Sequence, residues 1–313
     1  MLKFLLTRIA SAVPTLLIVT AAIFALMRMI PGDPAVLMLG DMAQPGQVEE
    51  LRQRMGLDQP LPIQFVTWLG KVLSGDFGQS IATGEPVLPL IFERFGVSAS
   101  VVLIAVVLAS VIAVPAGMIA AWRQNSLGDV AIVGTATLML SVPSFWLGLM
   151  LLTVFGLWLG WLPVVGYVSL ADDPTAGLLY LIMPVLTLVM VEAGAITRMA
   201  RASTIEVARL EYITHARAKG LSERAVMWRH AFRNAFAPTW TLIGLILGSL
   251  LANIAVTETV FTIPGLGRML IDGIFARDYP VVQGCMLFIA FIYVAVNLLV
   301  DLIYPLLDPR VAA

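Results

Sequence analysis

The sequence predicts an all-α, polytopic membrane protein with six transmembrane helices, and three observations predict it. Of the 313 residues, 59% are hydrophobic and only 12% are charged, against about 25% charged in an average soluble domain. A mean hydropathy of +0.93 is more apolar character than one soluble core can hide. The apolar residues are also gathered into runs near the roughly 20 needed to cross a bilayer, with the charges collected between them.

The first run, Ile9 to Met27, carries no charge. It exceeds the roughly 7–15 residues of a signal-peptide core and reads as a retained helix. Pro14 is tolerable there because neighbouring helices re-satisfy the freed carbonyl. Lys3 and Arg8 precede the run, which places the N-terminus in the cytoplasm. Pro31-Gly-Asp-Pro34 stops the helix. Residues 31–97 then hold Arg52, Arg54, Lys71 and Arg94 against eight acids, a balance that suits the outer face. Val48 to Met55 and the amphipathic Phe65 to Leu73 read as short helices of a layer lying on the membrane, with Pro60 and Pro62 between them.

Val97 to Trp122 is the second span, with Pro115 inside it. A short inner turn, Arg123 to Asp129, leads to a third run from Val130 to Gly160, interrupted by Pro143. Trp158, Trp161 and Tyr167 mark its outer end as an aromatic belt. The loop through Asp172-Asp173-Pro174 carries acids and no Lys or Arg, as an outer loop should. Leu178 to Thr197 is the fourth span, Pro238 to Thr257 the fifth and Val281 to Leu307 the sixth. Residues 258–280 form an outer loop, and Asp308-Pro-Arg310 ends the chain inside. The divisions are therefore 1–30 (cytoplasmic end and first span), 31–97 (periplasmic segment), 98–307 (core with a basic loop at 198–237) and 308–313 (cytoplasmic tail).

Eight of the nineteen basic residues lie between Arg198 and Arg233. With six spans, this puts both termini and the basic loop in the cytoplasm. Ile205, Ala208, Tyr212 and Ala216 step by three and four, one apolar helical stripe. Gly220 interrupts. Ser222 can cap a second helix with Glu223 in its first turn and Ala225, Trp228, Phe232 and Phe236 as its stripe. Periodicity predicts two amphipathic helices hinged at Gly220. It leaves open whether they lie on lipid headgroups or dock a soluble protein.

The loop resembles the cytoplasmic coupling loop, often called the EAA loop, of bacterial ABC importer permeases. Ala216-Arg-Ala-Lys-Gly-Leu-Ser-Glu223 and His230-Ala-Phe-Arg-Asn-Ala-Phe-Ala-Pro238 are similar to the dipeptide, oligopeptide and nickel branch of that family. The resemblance spans nearly the whole chain through Pro31-Gly-Asp-Pro-Ala35, Gly56-Leu-Asp-Gln-Pro60, Gly75-Asp-Phe-Gly78, Leu159-Gly-Trp-Leu-Pro163, Pro264-Gly-Leu-Gly267, Arg277-Asp-Tyr-Pro-Val-Val-Gln-Gly284 and Leu307-Asp-Pro-Arg310. Thr214-His215-Ala216 stands where the broader family has Glu-Ala-Ala.

The resemblance implies a type I ABC importer (MetI-like) permease fold. Tyr212, Thr214, His215, Ala216, Arg217, Ala218, Lys219, Gly220, Leu221, Ser222 and Glu223 are then the ATPase-coupling residues. Implied partners are a second homologous permease, two cytoplasmic ATP-binding subunits that hold ATP and Mg, and a periplasmic or lipid-anchored substrate-binding protein. That protein would meet residues 41–95 and 262–280. The implied solute is a dipeptide or oligopeptide, with nickel complexes, glutathione, opines and sugars as alternatives in the same branch. Gly220→Asp is expected to uncouple transport without preventing insertion.

Other chemistry is sparse. No Gly-x-x-x-x-Gly-Lys-Ser/Thr occurs, so ATP hydrolysis by that route belongs to a partner. His215 and His230 fit no zinc motif, and the single Cys285 excludes an internal disulfide and a cysteine metal cluster, so no cofactor or metal is expected in this chain. A net charge of −1 offers no field for nucleic acid. Membrane lipid is an expected contact. Ionisable residues inside spans are functional candidates by default. Glu192 with Arg198, and Asn297 with Asp301 four residues apart on one face, are therefore candidates for a gate or pathway. Arg28 and Glu258 lie near outer span ends, where hydration is expected to suffice. A stand-alone channel or secondary carrier is the rival class, but neither a filter motif nor a mid-membrane carboxylate is present to support it.

Overall fold

The computed structural model describes residues 2–30, 32, 34–39, 44–54 and 56–307. Pro31, Asp33, Met55 and Asp308-Pro-Arg310 lie outside the described residues. The chain runs through α1 (Leu2–Met29), α2 (Pro34–Leu39), α3 (Pro45–Arg54), α4 (Leu61–Leu73), α5 (Val87–Trp122), α6 (Leu127–Ser141), α7 (Ser144–Trp158), α8 (Pro174–Ala208), α9 (Glu211–Ala218), α10 (Glu223–Asn253), α11 (Ala255–Val260), α12 (Leu266–Phe275) and α13 (Tyr279–Leu307). No strand is formed among the described residues.

Five helices are long and apolar enough to cross a membrane: α1, α5, α8, α10 and α13. The pair α6 and α7 makes a sixth span only if read as one broken element, since the two are bent by 97°. The break falls at Val142, whose extended backbone precedes Pro143. Proline disfavours helical geometry in the residue before it. The sequence marks the interruption but not its angle. Pro14, Pro115, Pro184 and Pro305, by contrast, stay inside their helices.

Several boundaries differ from the sequence reading, and Pro62 lies in the first turn of α4 rather than between two helices. Helix α5 starts at Val87, ten residues before the expected Val97. Its first turns stand outside the apolar run, where hydropathy cannot see a helix that continues beyond the bilayer. Helix α8 runs on to Ala208, well past Arg198, so the start of the basic loop is a continuation of the fourth span. Pro238 does not open the fifth span: the helix begun at Glu223 continues through it to Asn253. Residues 258–280 are not simply a loop either, because they include α12.

The core is built on α5 and α8, which pack along each other, with α10 against both. Val101, Val102, Ala105 and Ala109 of α5 meet Leu181, Val185, Leu188 and Ile196 of α8 and Ile243 and Ile246 of α10. Gly117 lets the first two helices approach closely. A Cβ there would run into the Thr197 carbonyl oxygen, so no larger residue fits without moving backbone. Half of the spanning window of α8 is buried, but only 17% of that of α1 and α13, which places the last two at the periphery. Leu17, Ile18, Leu103, Val107, Val111 and Leu138 point apolar side chains outward, as lipid or subunit contact requires.

Candidate functional site

At the basic end, the chain leaves α8 through Arg209 and Leu210 and enters α9. The stripe predicted to be one helix is thus broken, and Ile205 and Ala208 belong to a different helix from Tyr212 and Ala216. Helix α9 then folds back on the start of α10. Ile213 and Ala216 pack on Val207, Val226, Ala231 and Ala235, with Tyr212 and Trp122 against them. Gly220 makes the turn at φ +80, a left-handed conformation that costs glycine little and other L-residues about 1–2 kcal/mol. Ser222 caps α10, its Oγ accepting from the Ala225 amide at 3.4 Å.

Side chains close the hairpin. Arg217 donates from Nε and Nη2 to Glu223, at 3.0 and 3.3 Å. Asn234 donates to the Tyr212 hydroxyl at 2.7 Å. Trp122, the last residue of α5, donates from Nε1 to Glu223 Oε2 at 2.9 Å. Thr214, His215, Ala218, Lys219 and Leu221 remain exposed. The arrangement is a short helix with one face packed on its own protein and the other open. Residues 226–231 are wound as π-helix, a local widening common at functional sites.

An ion pair unforeseen in the sequence lies above this hairpin. Arg201 of α8 contacts Asp129 of α6 through both Nε–Oδ1, at 2.6 Å, and Nη2–Oδ2, at 2.7 Å. Asp129 is 3% exposed and also accepts from the Asn125 amide at 2.9 Å. Asp129 sits in the first turn of α6 after the Ser126 cap, which is a readable helix start. Its partner, 72 residues away, has no such signal.

The pathway candidates separate. No ion pair joins Glu192 to Arg198 among the described residues. Glu192 is half-buried, whereas Arg198 lines an open cavity of about 500 Å³ with Val133, Leu140, Ala195 and Leu242. Asp301 pairs with Arg8 of α1 at 3.2 Å. Asn297 donates to the Tyr293 carbonyl of its own helix, and both residues line a groove between α1 and α13.

At the opposite end, the segments around residue 80 and residue 278 are stapled together. Asp278, 2% exposed, accepts from Ser80 Oγ at 2.5 Å and from the Ala82 amide at 3.2 Å. Arg94 donates to the Pro264 carbonyl at 3.3 Å. Together they border a cavity of about 430 Å³ with Thr83, Arg268 and Asp272.

Glu258 corrects the expectation of a hydrated span end: it is 0% exposed. It accepts from Ser98 Oγ of α5 at 2.5 Å and from the Arg268 amide in the first turn of α12 at 2.8 Å. Ser98 in turn accepts from the Leu266 amide at 2.8 Å. One carboxyl thus ties α11, α5 and the N-terminus of α12. The Pro264-Gly-Leu-Gly267 motif marks that helix start, but nothing in the sequence reveals its partner 160 residues away in α5.

Burial pushes the Glu258 carboxyl above its usual range, against the Ser98 and Arg268 hydrogen bonds. A raised folded pKa gives stability that is present below the unfolded value and lost as the pH rises through the folded one. Glu258→Gln keeps an acceptor for the Arg268 amide and cannot ionise, but it presents an amide donor to Ser98 Oγ where wild type presents an acceptor. Relative to that variant, wild type should lose stability as the pH rises above the ordinary carboxylate range, and parallel melting curves would contradict this. Glu258→Leu, which orphans the Arg268 amide, should cost about 2 kcal/mol at acid pH, where wild type is most stable.

The fold and these two ends define a transport subunit. Residues 113–313 match the family described as binding-protein-dependent transport system inner membrane component, and residues 1–102 match the N-terminal region of such components. The chain belongs to this family and is a permease subunit of a binding-protein-dependent ABC importer. It is 42% identical over 311 residues to a Brucella suis chain named, by inference, a peptide transport system permease protein, covering 99% of each. It is 38% identical over 332 residues to the di/tripeptide transport system permease protein DppB of Pseudomonas aeruginosa, and 35% identical over 314 residues to the oligopeptide transport system permease protein AppB of Bacillus subtilis. Each comparison covers 99% of both chains.

Proposed function

We propose that the chain forms one half of the translocation pathway of a peptide importer in the bacterial inner membrane. Both termini and the α9 hairpin face the cytoplasm, by the distribution of basic residues. The hairpin carries the reading. Its inner face is committed to Val226, Ala231 and Ala235, and its outer face, with Thr214, His215 and Ala218, is left for a partner. That partner is one of two cytoplasmic ATPase subunits, which supply ATP and Mg²⁺. A second, related permease completes the pathway. A periplasmic or lipid-anchored binding protein delivers solute to the end formed by residues 80–94 and 264–281.

The solute assignment rests on relatives named for peptide, di/tripeptide and oligopeptide transport. The chain itself makes no covalent change to the solute. The work is alternating access: ATP-driven closure of the ATPases displaces α9, and the packed unit of α5, α8 and α10 follows. The assembled importer in liposomes, with its binding protein outside and ATP inside, should take up labelled di- and tripeptides. Uptake without ATP would mean a channel or carrier. ATP-dependent uptake of nickel complexes or sugars alone would remove the peptide assignment and keep the permease.

A further inference from the structure

The hairpin is joined to the spans by more than chain continuity. Helix α8 leads into it and α10 leads out. The third link is a side-chain cluster on α5. Trp122 ends that helix, packs its ring against the hairpin core and donates Nε1–H to Glu223 Oε2 at 2.9 Å. The Arg217 guanidinium lies 5.2 Å from the centre of the same ring and pairs with the same carboxylate at 3.0 Å. Glu223 therefore receives two donors from Arg217 of α9 and one from Trp122 of α5, while standing in the first turn of α10.

Such a cluster adds little stability. Arg217 and Glu223 are 39% and 58% exposed, and exposed ion pairs are weak. What it fixes is position. Without Trp122, displacement of α9 reaches the spans only through α8, across the non-helical Arg209–Leu210 joint, and through α10, across its π-wound turns. With it, α5 is gripped directly. Helix α5 cannot slide independently of α8, because Gly117 brings its backbone against Thr197 and Ala200.

We propose that Trp122 is a positioning residue of the transport cycle, the point at which movement of the hairpin is passed to α5 through Glu223 and Arg217. The proposal rests on α9 being the ATPase-docking helix. Trp122→Phe keeps a ring and loses the donor; Glu223→Gln keeps the shape of an exposed side chain and loses the charge. In the complete reconstituted importer Trp122→Phe should retain the ATPase subunits and hydrolyse ATP within about twofold of wild type. Peptide uptake per ATP should fall at least about fivefold. The double variant should be no worse than either single one, because both break the same link.

Unchanged uptake per ATP in Trp122→Phe, or additive losses, would overturn the proposal. A variant on the open face of α9, Ala218→Trp, separates this from failure of the docking reading. If Ala218→Trp still binds the ATPases and transports normally, α9 does not dock them and the proposal falls with that reading. If it releases them while Trp122→Phe couples normally, only the Trp122 link is wrong.

Discussion

Arg201→Ala is expected to destabilise the folded chain by about 3 kcal/mol, near the lower end of the roughly 3–5 measured when one partner of a buried ion pair is removed. The reason is the carboxylate left behind. Asp129 is 3% exposed, and its two oxygens are each held by Arg201, with only the Asn125 amide as a further donor. Arg201 itself keeps a quarter of its side chain accessible, so water reaches the site from that side and the cost should not approach the upper end. Losing both charges is a different experiment. Asp129→Leu with Arg201→Leu removes the desolvation penalty together with the attraction and should recover most of the loss. Thermal unfolding in detergent compares the three chains. A double variant as unstable as Arg201→Ala would mean that the pair contributes net stability, not merely the avoidance of an orphaned charge.

What could be read from the sequence divides along a physical line. Spans α1, α8 and α13 are visible because their apolar runs match the bilayer, a property of consecutive residues. The hinge at Gly220 and the cap at Ser222 are visible because turn chemistry is local. Glu258, Asp129 with Arg201, and Trp122 with Glu223 are not, since each acquires its role from a residue 160, 72 or 101 positions away. Prolines fall between the two cases. Pro143 and Pro238 look alike in sequence, yet one sits at a 97° bend and the other inside a continuous helix. Pro238 is flanked by buried Ala237 and Thr239, while Ser141 and Pro143 are exposed. Packing holds the helix together at the first and is missing at the second. The packed face of α9 was legible as an apolar stripe, but the break after Ala208 was not, because residues on both sides of Arg209 suit a helix equally well.

Gly220→Val should abolish most peptide uptake, by about tenfold or more, while leaving the amount of protein in the membrane unchanged. Gly220 holds φ +80, and a Cβ built there meets nothing within 4 Å. Space is therefore not the obstacle. The obstacle is the backbone, where a β-branched residue is a genuine outlier and pays at least the roughly 1–2 kcal/mol that left-handed geometry costs an L-residue. An exposed hairpin closed by one weak ion pair and a small apolar cluster can relieve that strain by opening. Opening swings α9 away from Glu223 and Asn234 rather than unfolding the spans. Gly220→Asn tests the same point from the other side, since asparagine tolerates positive φ, and it should keep at least about half of the wild-type uptake. Gly220→Asp separates backbone from charge. Aspartate tolerates the turn nearly as well, but a carboxylate at position 220 competes with Glu223 for Arg217, which lies only three residues before it. Uptake by the Asp variant should thus fall well below that of the Asn variant. Equal, near-normal transport by all three would mean that the geometry at Gly220 has no part in coupling.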